Sequence, residues 1–213
     1  MNREEVFQAI DRQRLSVSAL LADLSDEEWD KPSLCDGWTV RDVAAHLTLQ
    51  QLGLRDLGKM TAAMIRARGN LDRAIWAMAK ATSVKPTGQM IAEIRGMVGS
   101  QKINMGITYK ETLIDILVHS QDIAVPLGRP MVMEPAAAAV AADRMWEMKR
   151  PLDTKKKFAG YRFVATDLDW SLGEGVEVRG PIDAVLLVLV GRFAALPRLA
   201  GDGVGALTAR LGV

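Results

Sequence analysis

Thr39-Val40-Arg41-Asp42-Val43-Ala44-Ala45-His46-Leu47 is the stretch on which the fold turns. Thr39 to Asp42 opens a helix whose apolar positions Val40, Val43, Ala44, Leu47, Leu54 and Leu57 form one stripe, with Gly53 and Gly58 weakening its later part. Upstream, Val6, Ile10, Val17, Leu20, Leu21 and Leu24 predict a first helix of about five turns. Between the two, Ser25-Asp26-Glu27-Glu28 reads as a capping box opening a short helical turn. Lys31 to Trp38, with Pro32, Asp36 and Gly37, reads as a loop. Downstream, helices are expected over Leu71 to Ala81, Gln89 to Val98 and Tyr109 to Val125, the last stopped by Leu127-Gly128-Arg129-Pro130. Glu134-Pro135 then starts an alanine-rich helix running to Met148. Strand-like alternation is absent from the first 150 positions, and helices joined by short connections make a bundle.

The composition shifts at Arg150-Pro151 and the basic run Lys155-Lys156-Lys157, which reads as a solvated linker. Tyr161 to Thr166 is expected to be a strand, paired as a hairpin with Val176-Glu177-Val178 across the turn Gly173-Glu174-Gly175. Ile182 to Leu196 returns to helix. The fold class is therefore mainly α: an up-down helical bundle over 1–150 and a small α/β segment over 151–213, a strand hairpin plus helix.

The 213 residues carry 27 Lys and Arg against 26 Asp and Glu, a formal charge of +1, and 49% are hydrophobic. Such a chain can build a sizeable core, so disorder is excluded. With no basic block and five Trp not interleaved with cations, it has no electrostatic footprint for nucleic acid. The longest apolar run, Ala184 to Val190 continuing past Arg192 to Leu196, is too short for a bilayer, which needs roughly 20 residues. The N-terminus, with Glu4, Glu5 and Asp11 in an amphipathic pattern, is unlike a signal peptide. The single Cys35 forms no internal disulfide and suits a reducing cytosol, so a cytoplasmic location is expected.

Chemistry gathers around two histidines, His46 and His119. Asp115 and His119 stand four residues apart on one helix face, which is metal-ligand spacing. With Glu111 and Asp122 they form a narrow polar stripe among Leu113, Ile114, Ile116, Leu117 and Val118. From spacing alone, this stripe reads first as a solvated face, with His119 an ordinary surface or core histidine. Glu111 is a rival ligand ranked below Asp115, and Asp122 is placed to orient His119 or Arg41. Cys35 could reach the site or simply pack. Trp29, Trp38 and Trp76 are expected in the core, with the Met residues as gap fillers.

The run Cys35-Asp36-Gly37-Trp38-Thr39-Val40-Arg41-Asp42-Val43-Ala44-Ala45-His46-Leu47, preceded by Leu24-Ser25-Asp26-Glu27-Glu28-Trp29, resembles the N-terminal motif of the mycothiol-dependent maleylpyruvate isomerase family, a branch of the DinB-like superfamily. Asp115-Ile116-Leu117-Val118-His119-Ser120-Gln121-Asp122-Ile123-Ala124, followed by Leu127-Gly128-Arg129-Pro130, is similar to that family's second metal-binding helix. A third match joins Val164-Ala165-Thr166-Asp167, Val178-Arg179-Gly180-Pro181 and Gly191-Arg192, whereas residues 59 to 108 match loosely. The resemblance implies a DinB-like bundle with His46, Asp115 and His119 as the three metal ligands. The chain departs from the isomerase at one of them: Asp115 stands where the family's acidic ligand is Glu, and its shorter arm implies a small backbone shift or altered coordination.

Two imidazoles and one carboxylate leave a divalent ion with open positions, as in catalytic sites. Zn2+ is the first expectation, with Ni2+, Mn2+ and Fe2+ compatible with the same donors. The resemblance implies an enzyme that uses a low-molecular-weight thiol such as mycothiol as a metal-bound thiolate. Attack on a small electrophile would either conjugate it or, by reversible addition, isomerise a cis double bond. The expected partners are thus a small-molecule thiol and an electrophile, with no nucleic acid or membrane, in a monomer or homodimer. Arg41, Arg73 and Arg192 are candidate cations for a carboxylated substrate. Two other readings stay open: a metal-dependent hydrolase that needs no thiol, and a non-catalytic bundle that binds a metal or a small ligand.

Overall fold

The computed structural model describes residues 1–53, 56–149 and 153–212. The chain divides into two compact units, Asn2–Val132 and Met133–Val213, the latter grouped with Met1.

The first unit is a helical bundle. Its helices are α1 (Arg3–Ala22), the short α2 (Asp26–Trp29), α3 (Val40–Leu47), α4 (Leu57–Arg66), α5 (Leu71–Thr82), α6 (Thr87–Gly96) and α7 (Tyr109–Ala124). α1 packs along α7 and α6, α3 packs against α5, α6 and α7, and α4 lies on α5. Val6, Ile10, Val17 and Leu21 of α1 and Leu113, Ile116, Leu117 and Ile123 of α7 are buried and supply much of the core. Full burial of such a side chain stabilises by about 1.5–3 kcal/mol.

Helix starts follow local chemistry. Asn2, Ser25, Thr39 and Thr108 each accept a backbone N–H with the side chain, while the acid three residues on, Glu5, Glu28, Asp42 or Glu111, reaches back to the cap.

The helix that opens at Thr39 is shorter than its apolar stripe predicts. α3 ends at Leu47 with Thr48 as its C-cap, and the hydrogen bond from Leu49 N to His46 O tightens the last turn. Asn104 then takes over the backbone: its Nδ2 donates to Leu49 O at 2.8 Å and its Oδ1 accepts from Leu52 N at 2.7 Å. A side chain 52 residues away thus replaces the helical ladder, which no local periodicity can register. Leu54 lies outside the described residues, as does the side chain of Leu57. α4 begins a separate helix where a weakened continuation is expected.

The second unit contains α8 (Pro135–Glu147), α9 (Thr154–Lys157), β1 (Gly160–Ala165), β2 (Ser171–Gly173), β3 (Gly175–Gly180), α10 (Ile182–Leu189), a 3-10 turn over Phe193–Arg198, and α11 (Gly203–Leu211). α8, read from composition as part of the bundle, packs on α10 within this unit. The expected junction at 150/151 lies outside the described residues. Lys155 to Lys157, expected in a linker, form the body of α9.

The sheet also departs from the expected hairpin. Its order is β2-β1-β3, with β1 antiparallel to β2 and parallel to β3. The hairpin turn is therefore at 166–170, and the Gly173-Glu174-Gly175 segment carries the chain past the start of β1 to its other edge. Only glycine fits there: Gly175 has φ +126°, and a Cβ would sit 2.0 Å from Gly160 O. At Gly173, with φ +81°, a Cβ would sit 2.5 Å from Tyr161 O.

Candidate functional site

The loop between α2 and α3 and the middle of α7 build the site. An isolated bridge pairs Pro32 with Thr39, Val40 N donates to Lys31 O at 2.9 Å, and Ser33 Oγ donates to Trp38 O. Gly37, at φ +72°, completes the tight return. Leu34 N donates to Asp122 O at 3.1 Å, fastening the loop to α7. These bonds bring Cys35 beside α7 and set Trp38 edge-on to His46, with ring centroids 5.6 Å apart.

His46 from α3 and Asp115 and His119 from α7 converge. His46 Nε2 lies 3.0 Å from Asp115 Oδ1, and His119 Nε2 lies 3.4 Å from the same oxygen. The two imidazoles cross nearly at right angles, 4.8 Å between centroids. All three donor atoms lie within 4.8 Å of one another. Donors that surround a zinc ion at its usual bond lengths stand about 3–3.4 Å apart. The shorter aspartate arm therefore reaches both rings.

Two of the three donors, His119 and Asp115, are held from behind, by different means. Asp122, fully buried, lies 2.8 Å from His119 Nδ1 through its Oδ2, and it accepts from Cys35 Sγ at 3.0 Å. Cys35 Sγ is also 3.6 Å from His119 Nδ1, so Cys35, His119 and Asp122 form a second donor group on the far side of the ring. Asp115 Oδ2 accepts from Gln50 Nε2 at 2.7 Å. Gln50 Oε1 in turn accepts from the fully buried guanidinium of Arg14, at 3.2 and 3.4 Å, and Arg14 also donates to Met97 O and Asp11. His46 Nδ1 is buried and carries no hydrogen bond among the described residues.

The electrostatics favour a cation at this point. Burial works to raise the Asp115 carboxyl, but the adjacent His46 and His119 hold it well below the usual carboxylate range. Burial likewise works to lower His119, yet hydrogen bonding and charge from Asp115, with help from Asp122 and Cys35, hold it well above the usual imidazole value.

Two cavities open on the donors, and His46 and Asp115 line both. One, about 400 Å³, lies between the α3–α4 turn, α4, α5 and α7 and is mostly apolar. The other, about 470 Å³, is walled by Trp38, Trp76, Asp72, Arg73 and His119. Trp29 is buried as expected, but Trp76 is 47% exposed, so it and Trp38 are walls of this cleft rather than core. The amphipathic rings of tryptophan suit such a rim.

Of the arginines singled out, Arg73 reaches the cleft. Arg41 pairs with Asp30 and stacks over Trp29, and Arg192 lies in the second unit, donating to Val190 O. Glu111 caps α7 by accepting from Thr108 and belongs to neither donor group. Gln50 and Arg14 were missed. For Arg14 the sequence holds a signal: it falls between Ile10 and Val17 on the buried stripe of α1, where a guanidinium must have partners. Nothing local marks Gln50, because its role depends on α3 ending early.

Residues 10–100 match the family model described as the mycothiol maleylpyruvate isomerase N-terminal domain. Over that stretch the chain is similar to this family's N-terminal domain. Two crystal structures share its fold. Both are of the mycothiol-dependent maleylpyruvate isomerase. One, of a histidine-to-alanine mutant, has a TM-score of 0.64 at 13% identity and covers 95% of this chain and 93% of its own. The other has a TM-score of 0.61 at 14% identity and covers 90% of each chain. No curated protein matches the sequence. At these identities the structural likeness establishes the fold, while the family match covers α3 and His46 but stops short of α7 with Asp115 and His119.

Proposed function

We propose that this protein is a divalent-metal-dependent enzyme that activates a low-molecular-weight thiol of the mycothiol kind toward a small electrophile. The observation that carries this reading is the convergence of two Nε2 atoms and one carboxylate oxygen at ligand spacing inside a family named for mycothiol chemistry. His46, Asp115 and His119 would hold the ion. Zn2+ suits the two nitrogens and one oxygen best, and Ni2+, Mn2+ and Fe2+ are compatible. The ion supplies Lewis acidity, which stabilises the deprotonated form of a sulfur or water ligand at neutral pH.

The chain's own residues supply orientation. Asp122 fixes the His119 ring through Nδ1, so that Nε2 faces the site. Gln50 occupies Asp115 Oδ2 and leaves Oδ1 to the donor set. The tryptophan-walled cleft, with Arg73 and Asp72, offers stacking surfaces and both signs of charge to a polar thiol. In transfer, a new S–C bond forms on the electrophile while a leaving group departs with its electron pair, or the neighbouring carbon takes a proton. In isomerisation, the same bond forms at a conjugated cis double bond, the carbon framework rotates, and elimination returns the thiol.

Conversion of the electrophile, followed by chromatography with the zinc-loaded protein and with mycothiol present or omitted, tests the reading against a panel of electrophiles. The expected result is metal- and thiol-dependent turnover that Asp115→Ala reduces at least a hundredfold. Turnover that proceeds equally without thiol would overturn it in favour of hydrolysis.

A further inference from the structure

The two cavities that meet at the donors are chemically unlike. Arg73 stands in the tryptophan-walled cleft, whereas no lysine or arginine lines the 400 Å³ cavity among the described residues. Its walls include Met60, Met64, Met78 and Met105, with Leu52 and Ile75. Leu71, Met105 and Ile107, all exposed, also line it and leave apolar surface open to an entering molecule.

The polar groups on those walls already have protein partners. Asn104 holds Leu49 O and Leu52 N. Gln50 lies between Arg14 and Asp115. Thr112 Oγ1 donates to Thr108 O, and Glu111 accepts from Thr108. Apart from the donors, the formal charge on the lining among the described residues is that of Glu111, which is negative. With no metal bound, a carboxylate entering here would lose its hydration and meet, among the described residues, no lysine, arginine or uncommitted side-chain donor, an outcome costing several kcal/mol. Methionine walls adapt their shape to apolar ligands.

We infer that this cavity takes the electrophile, and that the electrophile is an uncharged, apolar molecule rather than a dicarboxylate such as maleylpyruvate. The inference rests on the proposed thiol chemistry for the word electrophile. The binding preference itself does not depend on that chemistry. The polar thiol then approaches from the side of Arg73, and the two reactants meet across His46 and Asp115.

The test uses the full chain with neither thiol nor metal, and the uncharged dye N-phenyl-1-naphthylamine as a fluorescent reporter of the cavity. Diethyl maleate and maleate, which share one alkene and differ in charge, then compete with it. The diester is expected to displace the dye, while maleate fails to do so at a hundredfold higher concentration. Met78→Arg and, separately, Met64→Arg are each expected to weaken dye binding at least tenfold and to narrow or reverse the preference. Displacement by maleate as effective as by the diester would overturn the inference, as would dye binding unchanged in both variants. Turnover is scored apart: a diester preference without thiol-dependent activity sinks the enzymatic reading alone, and activity on dicarboxylates without that preference sinks this one.

Discussion

Asp115 divides its two oxygens, one facing both histidines and one accepting from Gln50. That division makes Gln50 a positioning residue for the carboxylate. Gln50→Leu is expected to leave the fold intact and to weaken zinc binding by about 10–100-fold, the usual effect of losing an outer hydrogen bond to a ligand. Competition against a chromophoric chelator measures it, and unchanged affinity would remove Gln50 from the site. Arg14 is the structural end of the same chain of contacts. Arg14→Ala leaves Met97 O and Gln50 Oε1 buried without their donor, each at about 1–3 kcal/mol. A loss of at least about 2 kcal/mol in urea-induced unfolding is the expected outcome. Residue identity was legible where chemistry is rare: with two histidines in the chain, His46 and His119 stand out, and Asp115 follows from its spacing to His119. Gln50 was not, because an exposed glutamine and one aimed at a carboxylate look alike in a sequence.

At the scale of elements, the long periodic helices α1, α5, α7 and α8 were legible from their stripes and stop signals, because each buries a face continuous over several turns. The early end of α3 and the parallel pairing of β1 with β3 were not, since both depend on partners distant in sequence or on backbone contact. Gly175→Ala is expected to destabilise by at least about 2 kcal/mol, from a positive φ and from collision with Gly160 O. A denaturant midpoint equal to wild type would show that the crossing tolerates a side chain. The start of α3 is also tied to α5, where the nearly buried Asp42 caps Thr39 and pairs with Lys80. Burial works to raise the Asp42 carboxyl, but the bonds from Lys80 and Thr39 hold it below its ordinary value. A depressed folded value means that Asp42 stabilises fully above the unfolded pKa and loses that contribution as pH falls through the folded one. Asp42→Asn should therefore cost about 1–2 kcal/mol at pH 7, by loss of the cap and the ion pair. The difference from wild type should shrink below about pH 4. A difference independent of pH would assign the effect to packing instead.

Across the whole molecule, composition and periodicity account for the helical fold, and residues 10–100 carry the similarity to the family's N-terminal domain. Among the described residues no helix is long and apolar enough to cross a membrane. The placement of His46 against Asp115 and His119 was implied by the family motifs and not by spacing, which cannot bring α3 to α7. A ligand that binds only the folded state raises stability by about 2.7 kcal/mol at a hundredfold excess over its Kd. Zinc is accordingly expected to raise the melting temperature of the wild-type chain and to leave that of Asp115→Ala unmoved.

The most direct measurement is the metal content of the purified chain, by elemental analysis, for wild type beside His46→Ala and Asp115→Ala. About one divalent ion per wild-type chain, lost in both variants, is the predicted result. A wild-type chain that stays empty after zinc is supplied, or variants that keep the ion, would contradict the three-ligand site.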